Sequence, residues 1–224
     1  MAGIFRMSHW SAVVSAVLIA IAVARYPGGT LRDPGTIGYS FSRNFLSDLG
    51  MTVTHGGHAN ALGARVFAVS FGLLAIAIIG STVAFMRLLS TVPRARGLAV
   101  AGGIGVVVAG LGLLGTALAP ADVSPFIHRQ SAALASAIAP LALLCFAAAS
   151  ARDSRLPRGV AVAWIVLAVT VAIWFSMRWA PGIDTDFGLT LHATVQKAVA
   201  IVILSGLVYL TRQVERVLSK INST

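Results

Sequence analysis

The chain has 224 residues, of which 57% are hydrophobic and only 11% charged, with a formal net charge of +10 and a mean hydropathy of +0.87. That composition excludes an ordinary soluble domain and a disordered segment alike. The positive charges sit at the ends of apolar runs rather than in one groove-sized cluster, which argues against nucleic acid as a partner.

A membrane-spanning helix needs about 20 mostly apolar residues, and six stretches qualify: about 9–25, 61–86, 98–119, 125–149, 159–178 and 188–211. The fold class expected is therefore all-α, a single polytopic domain over 1–224 with a bundle of six transmembrane helices and a long first outer loop, 26–60. The first stretch, with Arg6 before it and Ala22-Val23-Ala24 near its end, also fits a signal peptide; we read it as a retained helix. The single cysteine, Cys145, lies inside an apolar run and has no intrachain disulfide partner.

Lysine and arginine set the orientation. One side carries Arg6, Arg87, Arg94, Arg96, Arg152, Arg155, Arg158, Arg212, Arg216 and Lys220; the other carries Arg25, Arg32, Arg43, Arg65, Arg129 and Arg178. The richer side has the short connections, where the positive-inside rule is most reliable, so both termini are expected to be cytoplasmic. Arginine outnumbers lysine fifteen to two, which we take as the mark of a GC-rich bacterial genome, and hence of the bacterial cytoplasmic (inner) membrane.

The polar residues are unevenly placed. Asp48, His55, His58, Asp122, His128, Asp184, Asp186 and His192 all map to the outer side. In the long loop, Ser42 is a candidate N-cap and Gly50 a candidate stop; a helix between them would put Asn44, Ser47 and Asp48 on one face. His55-Gly56-Gly57-His58 reads as a pair of free loop histidines. The third stretch holds Ala101, Gly105, Ala109 and Gly112, a small-residue stripe that lets backbones approach closely, and predicts a helix in the middle of the bundle. Pro140 predicts a kink in the fourth helix.

Ser124-Pro125 is a helix start that puts His128 and Arg129 one turn inside the fourth helix. A helix N-terminus disfavours imidazolium, so His128 suits a ligand or general base. In the sixth helix, capped by Thr185 or Asp186, His192 and Gln196 share a face. Lys197 lies about 15 Å beyond that cap, inside the hydrocarbon; an ionisable group there is a functional hypothesis that needs a partner, and Asp48 or Asp122 is the expected one.

Together these give candidate catalytic residues Asp48, His128 and His192, and candidate ligand-binding residues Asn44, Ser47, Asp122, Arg129, Gln196 and Lys197. One Asp and two His suffice for a zinc site with an open position, so zinc is the cofactor to test, with Asp48, His128 and His192 as its ligands. The same set equally serves a proton relay or a substrate anchor.

At these residues the chain resembles the bacterial and archaeal membrane family known as domain of unknown function 998. The resemblance lies in the Asn-x-x-Ser-Asp-Leu-Gly element at Asn44 to Gly50, in Pro120 and Asp122 followed by His128, and in the Gly-Leu-Thr start of the last helix, from Gly188 to Lys197. It implies a six-helix integral membrane fold and these polar positions, and no reaction. A looser likeness to alkaline-ceramidase-type hydrolases breaks at Gln196, where that pattern has a histidine.

Three functions follow as expectations. The first is a binding or accessory membrane protein whose polar outer cavity takes a lipid head group, a quinone or a partner subunit, the expected partners being membrane lipids and a partner membrane protein or complex. The second is an intramembrane hydrolase or transferase acting on a lipid. The third, a proton-coupled transporter, needs a polar path that the sixth helix does not offer below Lys197.

Overall fold

The computed structural model describes residues 2–221, with side chains from 3 to 219; the Lys220 side chain, counted above, lies outside them. The chain forms six helices: α1 Ala2–Arg25, α2 Ala61–Leu89, α3 Pro93–Leu118, α4 Pro125–Ser150, α5 Arg158–Ser176 and α6 Asp186–Ile221. All six contain stretches long and apolar enough to cross a membrane. The chain is a multi-pass integral membrane protein, an all-helical bundle.

Short connections make chain neighbours antiparallel neighbours in space. Each helix packs on the next, and α1 also packs on α6, so the six close into a ring. This corrects the expected central position of α3, which is a ring member between α2 and α4. Its glycines explain how tightly it fits there. A Cβ on Gly102 would stand 2.8 Å from the Ala142 carbonyl and one on Gly112 2.8 Å from that of Ser131, while Gly103 and Gly110 face Met86 and Ile79 of α2. The stripe against α4 is therefore Gly102, Gly105 and Gly112, with Ala101 exposed instead of packed. α4 runs without interruption through Pro140.

The end of the ring away from the long loop is closed by aromatics. Phe5 meets Phe85 edge-on at 5.1 Å, and Phe146 stacks on Trp164 at 5.0 Å. There Asp153, almost fully buried, receives two hydrogen bonds from the Arg155 side chain, at 2.7 and 2.9 Å, and the same guanidinium reaches the Leu88 carbonyl and Thr91 hydroxyl. The α4–α5 connection is thereby stapled to the end of α2.

Three boundaries differ from expectation for one reason. α1 begins by Ala2, α3 begins at Pro93, and α6 runs on through Arg212 and Arg216 to Ile221. Apolar runs mark where a helix is inside hydrocarbon, whereas the backbone hydrogen bonds continue into polar sequence. The helix expected from Ser42 is also different. A turn at Ser40 to Asn44 leads into a 3₁₀ helix at Leu46–Gly50 whose N-cap is Phe45.

Candidate functional site

The 26–60 segment has almost no regular structure, yet it is pinned at every stage. It starts with a turn in which Gly28 and Gly29 adopt φ of +133° and +91°, values that favour glycine. The Gly29 N–H donates to the Thr36 carbonyl at 2.7 Å, and the Tyr26 hydroxyl to the Gly29 carbonyl at 3.3 Å. At its far end Asn60 donates to the carbonyls of Leu49 and Met51 at 3.1 and 2.9 Å.

Asn44, fully buried, is the hub. Its side-chain oxygen accepts from the Ser40 N–H at 2.9 Å, and its amide donates to the Gly29 carbonyl and to Asp48 Oδ2, each at 2.9 Å. Its own carbonyl accepts from Tyr39 Oη at 3.2 Å and Lys197 Nζ at 2.5 Å. A buried amide with all these valences filled fixes the surrounding backbone. Asp48, also buried, accepts a further bond from the Phe45 N–H at 3.0 Å, so that its side chain reaches back to satisfy the backbone donor at the start of the 3₁₀ helix. Its other oxygen stands 3.6 Å from His55 Nε2.

His55 is thus not free, and it is the residue that sequence reasoning missed. Glycine spacing placed it in a flexible tip; only the folded loop carries that tip back over Asp48. The pairing with Asp48 raises the imidazole above its ordinary value, against the burial that lowers it, and Asp122 adds to the rise. Because the folded value is the higher one, this contribution to loop docking is fully present below about pH 6.5 and is lost as pH climbs through the raised value. An NMR titration of His55 is expected to show a midpoint above that of a free histidine, returning to it in Asp48→Asn; an unshifted wild-type midpoint would remove the pair.

The helix mouths hold the loop down. Asp122, between α3 and α4, accepts from the Thr52 N–H at 3.0 Å, the Thr52 hydroxyl at 2.6 Å and the Val53 N–H at 2.9 Å. Burial alone would raise its carboxyl, but these bonds outweigh it and bring the group below the ordinary range. From α6, Gln196 Oε1 accepts from the Leu46 N–H at 2.6 Å, while Lys197 Nζ reaches the Asn44 carbonyl and lies 5.4 Å over the Tyr39 ring. The partner of Lys197 is therefore a backbone carbonyl of the loop, not the directly bonded carboxylate expected. Arg32 bonds the Asp184 carbonyl and, at 3.1 Å, the Asp186 carboxylate. The polar residues gathered at this end are to a large extent the fastenings of the loop.

Beneath the loop, inside the ring, runs a cavity of about 250 Å³. Leu46 and Ser47 of the 3₁₀ helix lie at one end with His128 and Gln196, and Phe85, Leu143, Trp164 and Leu210 lie toward the aromatic plug. Between them the wall is mostly apolar, with Phe71, Val106, Leu113, Ala132, Ala139 and Ile203 among its residues; the hydroxyls of Ser81, Thr116 and Ser136, which also line it, bond carbonyls of their own helices. From His128 to Leu143, α4 rises about 22 Å, most of a hydrocarbon thickness of ~30 Å. Spread along that length, the space is a narrow channel suited to one hydrocarbon chain. The cavity expected to be polar is thus mainly apolar: free polar groups stand at the loop end and, at the plug, in the buried Trp164 Nε1–H, which has no hydrogen-bond partner among the described residues.

The chemistry of that end is defined. His128, buried, has Nδ1 2.8 Å from the Ala119 carbonyl. A carbonyl only accepts, so Nδ1 carries a proton, and in the neutral imidazole Nε2 is then the acceptor. Gln196 spends its oxygen on Leu46, which leaves its two amide N–H donors. Ser47 adds a hydroxyl that both donates and accepts.

The remaining candidates lie elsewhere. His192 bonds the Pro181 carbonyl at 3.1 Å and does not line the cavity, and Arg129 is exposed on α4. Asp48 is turned into the loop network. Asp48, His128 and His192 therefore have separate partners, and among the described residues no three His, Cys, Asp or Glu side chains are grouped so as to hold a metal ion. Comparison with family models, with curated proteins and with solved structures returns no match.

Proposed function

We propose that this integral membrane protein binds an uncharged amphiphile, with one apolar chain in the interhelical cavity and an oxygen-bearing head at His128, Gln196 and Ser47. The observation that carries this reading is the cavity itself, mostly apolar, with the Ser81, Thr116 and Ser136 hydroxyls on its wall spent on carbonyls of their own helices and with Ser47, His128 and Gln196 gathered at one end. Concave, mostly apolar sites with a few placed polar groups are how proteins take small lipophilic ligands. The head is neutral because no Lys, Arg, Asp or Glu side chain lines the cavity: Lys197, next to Gln196, is spent on the Asn44 and Ala193 carbonyls, and Arg129, next to His128, is exposed. A quinone carbonyl matches the Gln196 donors, and a lipid hydroxyl matches the lone pair of His128. The docked loop roofs the head.

The wider setting supports the same reading. The charge distribution favours a bacterial inner-membrane protein with both termini cytoplasmic, and the Asn44 to Gly50 element favours kinship with domain of unknown function 998. The loop and cavity then face outward, and the ligand is a lipid or quinone of the membrane.

The test is the lipid that co-purifies. Ala132 lies one turn below His128 on the cavity wall, so Ala132→Phe sets a ring across the chain's path. Mass spectrometry of detergent-purified wild type is expected to find a neutral lipid at near-equal molar amount, lost by tenfold or more in Ala132→Phe and reduced in His128→Ala. Wild type free of neutral lipid, or an unchanged amount in a folded Ala132→Phe variant, would overturn the proposal.

A further inference from the structure

The ring carries a second hollow, on its outside, in which the central cavity takes no part. A groove of about 550 Å³ runs between α1 and α6. Val13, Ala16 and Val17 of α1 face Leu204 and Val208 of α6 across it, and Arg212 and Arg216 line its end. Ala12 and Leu207 belong to one packed cluster and so mark a common level. Beyond Leu207, α6 heads for the basic end, so the apolar part of the groove lies in hydrocarbon and the arginines at that membrane surface. They are one turn apart on one helix face, both exposed, and neither is in an ion pair among the described residues. No carboxylate lines the groove.

We propose that this groove is a binding site for an anionic glycerophospholipid of the leaflet at the basic end. One acyl chain lies between α1 and α6, where the small side chains of Ala12 and Ala16 leave room for it, and the phosphodiester sits between Arg212 and Arg216. Guanidinium forks match phosphate oxygens with paired hydrogen bonds, and basic pockets between transmembrane helices select anionic head groups for this reason. The occupant is argued from charge: two cations without a protein partner, at the level of the lipid phosphates, above an apolar slot that ends in mid-membrane. A zwitterionic lipid brings its own cation to the same place and is disfavoured there.

The experiment is lipid retention from nanodiscs of equal phosphatidylglycerol and phosphatidylcholine, read by native mass spectrometry on the full chain. Wild type is expected to retain phosphatidylglycerol about tenfold over phosphatidylcholine. Arg212→Gln/Arg216→Gln is expected to bring the two lipids near parity. Ala16→Trp, which fills the slot and leaves the charges, is expected to lower the retained phosphatidylglycerol. All three positions are exposed, and an unchanged melting profile confirms that the variants are folded. Equal retention of both lipids by wild type, a preference that survives the double substitution, or full retention in Ala16→Trp would each overturn the proposal. None of these outcomes bears on the neutral lipid of the central cavity, whose wall does not include α1.

Discussion

Asp48→Ala is expected to undock the long loop while leaving the six helices in place. The carboxylate is 5% exposed and holds three groups at once: the Asn44 amide, the Phe45 N–H and His55. Removing it strands the buried Asn44 amide, the part-buried Phe45 N–H and a histidine. A hydrogen bond to a charged group contributes about 1.5–3 kcal/mol and an orphaned buried donor costs a similar amount. A loop fastened by a handful of such contacts is not expected to survive that loss, whereas helices packed in a closed ring lose nothing directly. Hydrogen exchange should therefore accelerate by two orders of magnitude or more from Asn44 to His55, with α2 to α6 protected as before. Retained neutral lipid should fall as well, because Leu46 and Ser47 leave the cavity end. Asp48→Asn keeps one acceptor for the Phe45 N–H and should show an intermediate loss. Protection unchanged in Asp48→Ala would mean that the helix-mouth anchors, Asp122 and Gln196, suffice alone.

Those anchors show which parts of the site were legible in the sequence. The helices were legible because a continuous apolar run of about 20 residues can satisfy its own backbone polar groups in lipid only as a helix, whereas the other spanning structure, a closed barrel, is built from shorter strands of alternating polarity. The convergence of polar residues on one end was legible because helix count and loop order assign each residue to a side. What they do there was not. Asp48 reads as a catalytic carboxylate and Asp122 as a ligand-binding one as long as the loop's path is unknown, since a loop's backbone N–H groups leave no trace in sequence. Once the loop is docked, Asp122 is seen to be taken by Thr52 and Val53, and Lys197 by the Asn44 carbonyl. His55 was hidden by the glycines beside it, which signal flexibility in a free chain and close backbone approach in a folded one. The cavity was equally invisible. It arises because the six helices close a ring instead of packing around a central one, a matter of which faces meet, and the small residues of α3 speak only for its contacts with α2 and α4.

The pH dependence of docking joins the two sides of the loop. Asp122, lowered in the folded state, contributes above about pH 3.8 and is lost as pH falls through its depressed value, while His55 contributes at low pH and is lost as pH rises. Docking is therefore firmest in mildly acidic solution, in the interval where Asp122 is ionised and His55 is protonated.

Gly29→Ala should be among the most damaging methyl groups that can be added to the long loop. Gly29 sits at φ +91°, where an L side chain is strained, at a cost of about 1–3 kcal/mol. Space adds to the strain. A Cβ there would stand 2.7 Å from the Gly56 Cα and 2.8 Å from the His55 carbonyl carbon. Both obstacles are backbone, so no rotamer change relieves them, and overpacking of this kind costs about 1–3 kcal/mol more. Gly29 cannot retreat either. Its N–H is bound to Thr36, and its carbonyl accepts from Tyr26 and from the Asn44 hub. The tip must move instead, which carries His55 away from Asp48. The comparison is Gly57→Ala, at φ +77° with nothing within 4 Å of the added carbon, which isolates the strain of the dihedral from that of the clash. Gly29→Ala is expected to expose the loop as fully as Asp48→Ala does and to abolish the raised His55 titration. Gly57→Ala should cost only about 1–2 kcal/mol and keep that titration. Equal effects from the two substitutions would show that the Gly29–Gly56 contact does not position the tip, and that Asp48 draws His55 in without it.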